Sequence, residues 1–199
     1  MLLGLPSTAD AYDANGLFLR GTMPLLEDFD CQLGSGLLKQ VDPVLFKEGM
    51  RQLTAGVTIV TTAIGDERRG LTATAVCSLS AEPPTLLACV NREAGAHDPT
   101  LQSRVFCVNV LATQHLELAG HFANSQMTAT ERFGSGDWGT LETGAPVLMD
   151  SLASFDCILG QTMRADTHTV LTGRVQAVRS DNKLEPLLYS RGVFGSFTP

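Results

Sequence analysis

The sequence predicts a mainly β protein, built as an antiparallel barrel or sandwich with a few peripheral helices. Runs of β-branched and apolar residues recur along the chain, and few of them have helical spacing. The long alternation of strands and helices that is typical of a doubly wound sheet is missing. With 199 residues, the chain is long enough to bury one sizeable core, and no second core is required.

The first 40 residues are predicted to be an N-terminal extension, an arm or lid that is partly disordered. They mix Gly, Ser, Asp and Leu without a sustained period. The domain proper is then expected over residues 41–199. It starts with a helix, because Asp42-Pro43 supplies an N-cap and a first-turn proline and apolar residues follow at near-helical spacing until Gly56.

A stretch rich in small and hydroxyl residues, Arg69 to Ser80, follows the predicted strand Val57–Thr62 and a polar hairpin turn at Gly65–Gly70. A backbone with such small side chains can approach a flat, phosphorylated ligand closely and offer it N–H donors. The stretch is therefore a candidate cofactor ledge. A buried β segment with tightly packed alanines is the alternative, and the residues alone leave both open.

The rest of the chain returns to strands joined by short helices. Strands are expected at residues 86–90, 105–111, 154–164 and 169–179, with helices after Asp98-Pro99 and over residues 113–123. The glycine-rich segment from Phe133 to Pro146 is expected to be a long loop.

Charge and composition exclude several function classes. The formal charge of −7 comes from 21 acidic and 14 basic residues, and no basic run is longer than Arg68-Arg69, which argues against nucleic acid as a partner. The start lacks a basic, apolar leader and no apolar run reaches membrane length, so we expect a soluble cytoplasmic protein. Five widely spaced cysteines in mostly apolar runs are expected to act as small hydrophobes in a reducing compartment.

Several motifs do not have the context that their chemistry needs. Residues 134–139 match G-x-G-x-x-G, but no strand precedes them and no helix follows. His115 and His121 are six residues apart, which puts them on different helix faces, so no metal site is predicted. No nucleophile elbow or catalytic cysteine neighbourhood is present, so an enzyme built on this chain would rely on an organic cofactor. His97 and His168 lie at strand ends, where each could face a ligand or simply cap the surface.

Taken together, the following segments resemble, in order and spacing, the short-chain flavin reductases: residues 46–62, 70–80 with Pro83-Pro84, 89–92, 106–111, 131–133, 144–146, 168–175 and 186–192. These enzymes are the NAD(P)H:flavin oxidoreductase components of two-component flavin monooxygenases. The resemblance covers residues 43–195 and leaves residues 1–40 outside.

This resemblance implies an FMN-binding split β-barrel with Greek-key topology that forms a homodimer. It also implies NAD(P)H-dependent reduction of free FMN or FAD by direct hydride transfer, with NADH or NADPH as donor, and a separate monooxygenase that receives the reduced flavin. Two alternatives stay open: a flavoprotein that retains FMN and acts on another small molecule, and a non-catalytic flavin- or tetrapyrrole-binding module.

The resemblance further implies which residues contact the ligands. The isoalloxazine and ribityl chain would lie on Thr72, Ala73, Thr74, Ala75 and Val76, with Ser78 and Leu79 close behind. The flavin phosphate would be wrapped by Asn91, Arg92, Glu93, Ala94, Gly95, Ala96 and His97. The nicotinamide nucleotide would face His168, which orients it, and a strand made of Tyr189, Ser190, Arg191 and Gly192.

The chain departs from the family pattern at the phosphate segment. Residues 93–96 read Glu-Ala-Gly-Ala where Ser and Thr are common, so backbone N–H groups, Arg92 and His97 are left to meet the phosphate. Weak binding of flavin, as a substrate that passes through, is the expected consequence.

Overall fold

The computed structural model describes residues 40–197. The predicted arm over residues 1–40 therefore lies, except for its last residue, outside the described part of the chain. The helices are α1 (Pro43–Met50), α2 (His97–Ser103), α3 (Leu116–Ala123) and α4 (Ala129–Arg132), and a 3-10 turn over Thr113–His115 leads into α3. The strands are β1 (Ala55–Gly56), β2 (Thr58–Ile64), β3 (Glu67–Ala73), β4 (Val76–Ala81), β5 (Pro84–Asn91), β6 (Val105–Val110), β7 (Trp138–Thr140), β8 (Pro146–Leu148), β9 (Ala153–Ala165), β10 (His168–Ser180), β11 (Leu187–Ser190) and β12 (Val193–Ser196).

Seven strands form one antiparallel sheet in the order β3-β2-β6-β9-β10-β5-β4. Its two outer strands, β3 and β4, are consecutive in the chain and are separated only by Thr74 and Ala75. A three-stranded sheet, β1-β11-β12, and the β7-β8 pair complete the described fold. The prediction of a mainly β, antiparallel protein with peripheral helices is confirmed.

Alternation of buried side chains along the strands builds the core. In the main cluster, Phe106, Leu159 and Leu171 come from three neighbouring strands and are all almost fully buried. A second cluster joins the sheet to α3 and contains Phe122 and Phe133, whose rings meet edge to face at 5.0 Å. Because aromatic edge contacts are directional, this second cluster fixes where α3 and α4 lie on the sheet.

A buried amide ties four strands together. Asn109 on β6 is fully buried, and its Nδ2 donates to the Ile59 carbonyl and to Thr61 Oγ1, both at 3.1 Å. Its Oδ1 accepts from the Leu148 N–H at 2.8 Å and from Ser154 Oγ at 2.9 Å. A buried polar side chain with all its groups satisfied supports one register, because any slip would leave an unpaired donor or acceptor.

The cysteines fit the prediction in part. Cys107 and Cys157 are buried; burial raises the pKa of the Cys107 thiol well above its ordinary value and that of Cys157 to about 12, so both behave as protonated apolar side chains. Cys77 is exposed on β4, which contradicts the expectation for that residue. Cys31 lies outside the described residues.

Four boundaries differ from the predictions. The first helix ends at Met50, not near Gly56, and all of its residues are exposed, so no packing extends it. The first hairpin turn is confined to Gly65 and Asp66, because the charged residues after it pair with β2 as part of β3. The predicted loop at 133–146 contains strand β7, whose partner β8 follows it. The predicted strand over residues 189–192 ends at Ser190, since the next two residues adopt positive φ angles in a turn.

No helix within residues 40–197 is both long and apolar enough to cross a membrane.

Candidate functional site

A cavity of about 750 Å³ lies between three segments of the fold. One wall is residues 69–72 of β3, and the second is the turn after β5, at Asn91 and residues 93–95. The third comes from the end of α3, the loop that follows it, and α4 with Phe133. Pockets of this size hold cofactor-sized ligands in many proteins. Two of the three walls are segments for which the sequence predicted ligand contacts.

The predicted ledge runs along the two outer strands of the main sheet. Thr72 and Ala73 end β3, Thr74 and Ala75 form the connection, and Val76, Ser78 and Leu79 lie on β4. Each outer strand has a strand partner on one side only among the described residues, so alternate main-chain N–H groups face away from the sheet. Ser78 and Leu79 are exposed, so the alternative of a buried β segment is wrong for β4.

Of the ledge residues that the resemblance assigns to the isoalloxazine and ribityl chain, Thr72 lines the cavity. Its hydroxyl donates to the Ala119 carbonyl at 2.7 Å and so ties β3 to α3. Gly70, two residues earlier, also lines the cavity, and a Cβ there would lie 2.7 Å from Phe122 Cε1. The absence of a side chain at Gly70 thus lets the Phe122 ring sit against the strand.

The predicted phosphate segment forms a compact turn. Asn91 Oδ1 accepts the Glu93 N–H at 2.9 Å, and the Asn91 carbonyl accepts the Ala94 N–H at 3.0 Å. Within residues 40–197 the N–H groups of Gly95 and Ala96 have no hydrogen-bond acceptor. Of these two residues, Gly95 lines the cavity, so its N–H is a main-chain donor available to an anion there.

The two side chains predicted to meet the phosphate make hydrogen bonds elsewhere. The guanidinium of Arg92 donates to the Asp166 carbonyl at 3.1 Å. The ring of His97 is buried, with Nδ1 2.6 Å from Asp98 Oδ1 and Nε2 2.9 Å from Thr169 Oγ1. Neither side chain lines the cavity, so in this arrangement both fasten the turn to its neighbours.

His168 is brought next to the phosphate turn by strand pairing. It is the first residue of β10 and lies opposite Asn91 on β5. Its side chain is exposed and its Nδ1 is 2.8 Å from Thr167 Oγ1, whereas Nε2 has no partner among the described residues. An imidazole in this position has one nitrogen available for a ligand.

The predicted nicotinamide strand is not brought to this cavity. Tyr189 and Ser190 lie on β11 in the separate three-stranded sheet, and Ser190 Oγ accepts from Thr54 Oγ1 at 2.9 Å. Arg191 and Gly192 form the turn between β11 and β12. None of these four residues lines the cavity within one chain.

The third wall was missed by sequence reasoning. Helix α4 carries a capping box: Thr128 Oγ1 accepts the Glu131 N–H at 3.3 Å, and Glu131 Oε2 accepts the Thr128 N–H at 2.7 Å. The Thr128 backbone N–H, and then its hydroxyl, lower the pKa of Glu131 from its ordinary value. The spacing T-x-x-E is a recognised helix start, so this signal could have located the helix that carries Arg132.

Arg132 is a lining cation that two main-chain carbonyls hold in place. Its Nη1 donates to the Gly70 carbonyl at 3.2 Å and its Nη2 to the Asn124 carbonyl at 2.7 Å. No carboxylate of residues 40–197 lies within 4.0 Å of its guanidinium. The other arginine of the wall, Arg69, is paired with Glu67 at 3.0 Å.

The fold and this cavity define a split β-barrel protein with a nucleotide-sized site beside an outer strand. Residues 50–198 match the family described as flavin reductase like domain, and the chain belongs to that family. It is 44% identical over 145 residues to the FMN reductase (NADH) RutF 2 of Methylorubrum extorquens, which spans 73% of this chain and 84% of the relative.

Solved structures agree in fold. A Haemophilus somnus protein described as a flavin reductase superposes with a TM-score of 0.77 at 37% identity, covering 79% of this chain and 100% of that chain. The NADH:FAD oxidoreductase SgcE6 of Streptomyces globisporus, in complex with NAD and FAD fragments, has a TM-score of 0.74 at 31% identity and covers 81% and 98%. BorF, the flavin reductase component of a bacterial two-component tryptophan halogenase, has a TM-score of 0.74 at 29% identity and covers 79% and 99%.

Proposed function

We propose that this protein reduces free flavin with NADH and releases the reduced flavin to a separate flavin-dependent oxygenase. The observation that carries the proposal is the cavity between β3 and the Asn91–Gly95 turn, in a chain that belongs to the flavin reductase family. The relative named FMN reductase (NADH) favours FMN and NADH as the ligand pair, and BorF supplies the precedent for a separate partner enzyme.

The residues of the site fit a flavin nucleotide. The cavity volume suits a ring system with part of its side chain, and the available N–H group of Gly95 suits a phosphate. The small residues of the ledge, Thr72 to Val76, allow main-chain donors to approach the pyrimidine edge of the ring, where negative charge develops on reduction.

The reaction requires the protein to position its two substrates rather than to transfer protons. Hydride passes directly from nicotinamide C4 to flavin N5, so the two rings must be stacked at the right separation. His168, opposite the lining residue Asn91 and with Nε2 available, is proposed to hydrogen-bond the dinucleotide and hold it over the flavin.

A steady-state assay tests the proposal. NADH oxidation by the purified protein is expected to need added FMN, to saturate with both substrates, and to leave the protein colourless after gel filtration. A yellow protein that reduces another small molecule without added flavin would support a retained prosthetic group, and a yellow protein that ignores NADH and NADPH would support a binding module; either result contradicts the proposal.

Replacing His168 by Ala is expected to raise the KM for NADH by about tenfold, the effect of one lost hydrogen bond, and to leave the KM for FMN within about twofold. The reason is that Nε2 is proposed to contact the dinucleotide alone. Thr167→Ala is the matched control, because it removes the hydroxyl that contacts His168 Nδ1 and keeps the imidazole. Equal increases in both KM values would contradict the assignment.

The homodimer is part of the proposal. Helix α1 shows exposed apolar side chains at Val44, Leu45, Phe46 and Met50, and the main chain of Arg51 accepts from Arg191 N–H, which joins this face to the β11–β12 turn. An apolar face of this kind is typical of a subunit interface. Light scattering is expected to give twice the chain mass; a monomer would contradict it.

A further inference from the structure

We propose that Arg132 recognises the 5′-phosphate of the flavin nucleotide and is the main reason that the site prefers FMN to riboflavin. This inference rests on the proposed function, because it assigns a partner to one part of the proposed substrate. It places the cation for the phosphate on α4, across the cavity from the turn at residues 91–96.

The charged groups around the cavity are the first observation behind this inference. A phosphate brings up to two negative charges, and bringing it into a partly enclosed site requires a nearby cation. Arg92 does not line the cavity, and its guanidinium donates to the Asp166 main-chain carbonyl; the ring of His97, which contacts Asp98 and Thr169, does not line it either. The turn itself adds a negative charge at Glu93.

Arg132 is the lining cation that lacks an acidic partner. Arg69 also lines the cavity, but Glu67 neutralises it at 3.0 Å. No carboxylate of the described residues comes within 4.0 Å of the Arg132 guanidinium, whose hydrogen bonds go to two neutral carbonyls. No nearby carboxylate of the described residues therefore compensates its positive charge.

The guanidinium is also preorganised. The carbonyls of Gly70 and Asn124 hold Nη1 and Nη2, and the buried Nε has no hydrogen-bond partner. An arginine fixed in this way loses little side-chain freedom when an anion binds. Gly70 lies on β3, which also carries Thr72. The hydrogen bond from Arg132 to the Gly70 carbonyl therefore sets the position of this charge relative to the proposed site of the flavin ring.

Kinetics with paired flavins test the inference, because riboflavin carries the ring and ribityl chain of FMN without the phosphate. For the wild type we expect a KM for FMN about tenfold below that for riboflavin, the effect of one charge-assisted hydrogen bond. In Arg132→Gln the KM for FMN is expected to rise to within about twofold of that for riboflavin, while the riboflavin value stays the same. Arg132→Lys keeps the charge but loses the planar fork and is expected to fall between the two.

The ratio of the KM for FMN to the KM for riboflavin distinguishes a loss of phosphate recognition from a folding defect. A variant that folds poorly or has a distorted cavity changes both flavins together and leaves the ratio unchanged. Arg68→Gln is the matched control: it removes a positive charge nearby, from a side chain that stacks on Phe133 at 4.7 Å and does not line the cavity, and it should keep the wild-type ratio.

An unchanged ratio in Arg132→Gln, a parallel rise for both flavins, or a wild type that does not distinguish FMN from riboflavin would each overturn the inference and leave flavin reduction intact. A wild type that reduces neither flavin would overturn the proposed function itself, and the role of Arg132 with it.

Discussion

Replacing Gly70 by Ala is expected to raise the KM for flavin by roughly tenfold or more, since small misplacements of binding groups have effects of this size. The new Cβ would lie 2.7 Å from Phe122 Cε1 and 2.9 Å from Cδ1, so the ring has to move. Phe133 and Trp138 pack behind it, with ring centroids 5.0 and 5.5 Å away, and leave it no room in the core. The ring must therefore turn into the cavity that it lines.

Steady-state kinetics and a compensating variant check this expectation. In Gly70→Ala/Phe122→Leu the ring atoms that meet the new methyl group are absent, so the KM for flavin should return towards that of Phe122→Leu alone. Such coupling between two contacting residues is what a double-mutant cycle detects. Gly56→Ala, where no atom lies within 4 Å of the new Cβ, is the control for adding a methyl group elsewhere. An unchanged KM in Gly70→Ala would show that Phe122 yields without entering the cavity.

Replacing Gly173 by Ala is expected to lower the free energy of unfolding by about 3 kcal/mol, at the upper end of the usual effects of overpacking. A Cβ at this position on β10 would lie 2.4 Å from Phe106 Cζ and 3.0 Å from Cys157 Cβ. Both neighbours are fully buried, so neither can move aside without disturbing the main cluster.

Denaturant unfolding measures this effect. The matched control is Gly49→Ala on the exposed helix α1, where nothing lies within 4 Å of the new Cβ. Alanine is the better helix former, so this variant should be as stable as the wild type or up to about 1 kcal/mol more stable. A Gly173→Ala protein within about 0.5 kcal/mol of the wild type, the range of neutral surface changes, would show that the core adapts there.

Much of the fold could be predicted because the strands carry their own local signals. The β-branched run that became β2 and the apolar runs that became β5 and β6 form strands wherever they are buried, and the antiparallel architecture followed from the lack of βαβ alternation. Strand β7 could not be predicted, because it is three residues long and is fixed by its pairing with β8. The early end of α1 depends in the same way on the lack of a packing partner along the described chain.

The site could be predicted only where contacts are local. The Asn91 turn is made by hydrogen bonds between residues that are close in sequence, so its position could be predicted from the sequence. The engagement of Arg92 by Asp166 and of His97 by Thr169 depends on segments more than 70 residues away. Arg132 likewise depends on a distant partner, because it bonds to Gly70, 62 residues earlier in the chain. Long-range contacts of this kind decide which cations are left for a ligand.

The turn after β5 is hydrogen-bonded to the tip of the β9–β10 hairpin. This contact bears on the distance over which hydride would be transferred. Arg92 holds that tip through both its main chain and its side chain, and His168 belongs to the same tip. In the proposed function, the turn that contacts the flavin phosphate and the residue that orients the dinucleotide are thus joined by two hydrogen bonds. The separation of the donor and acceptor rings would then depend on this joint between β5 and the β9–β10 hairpin.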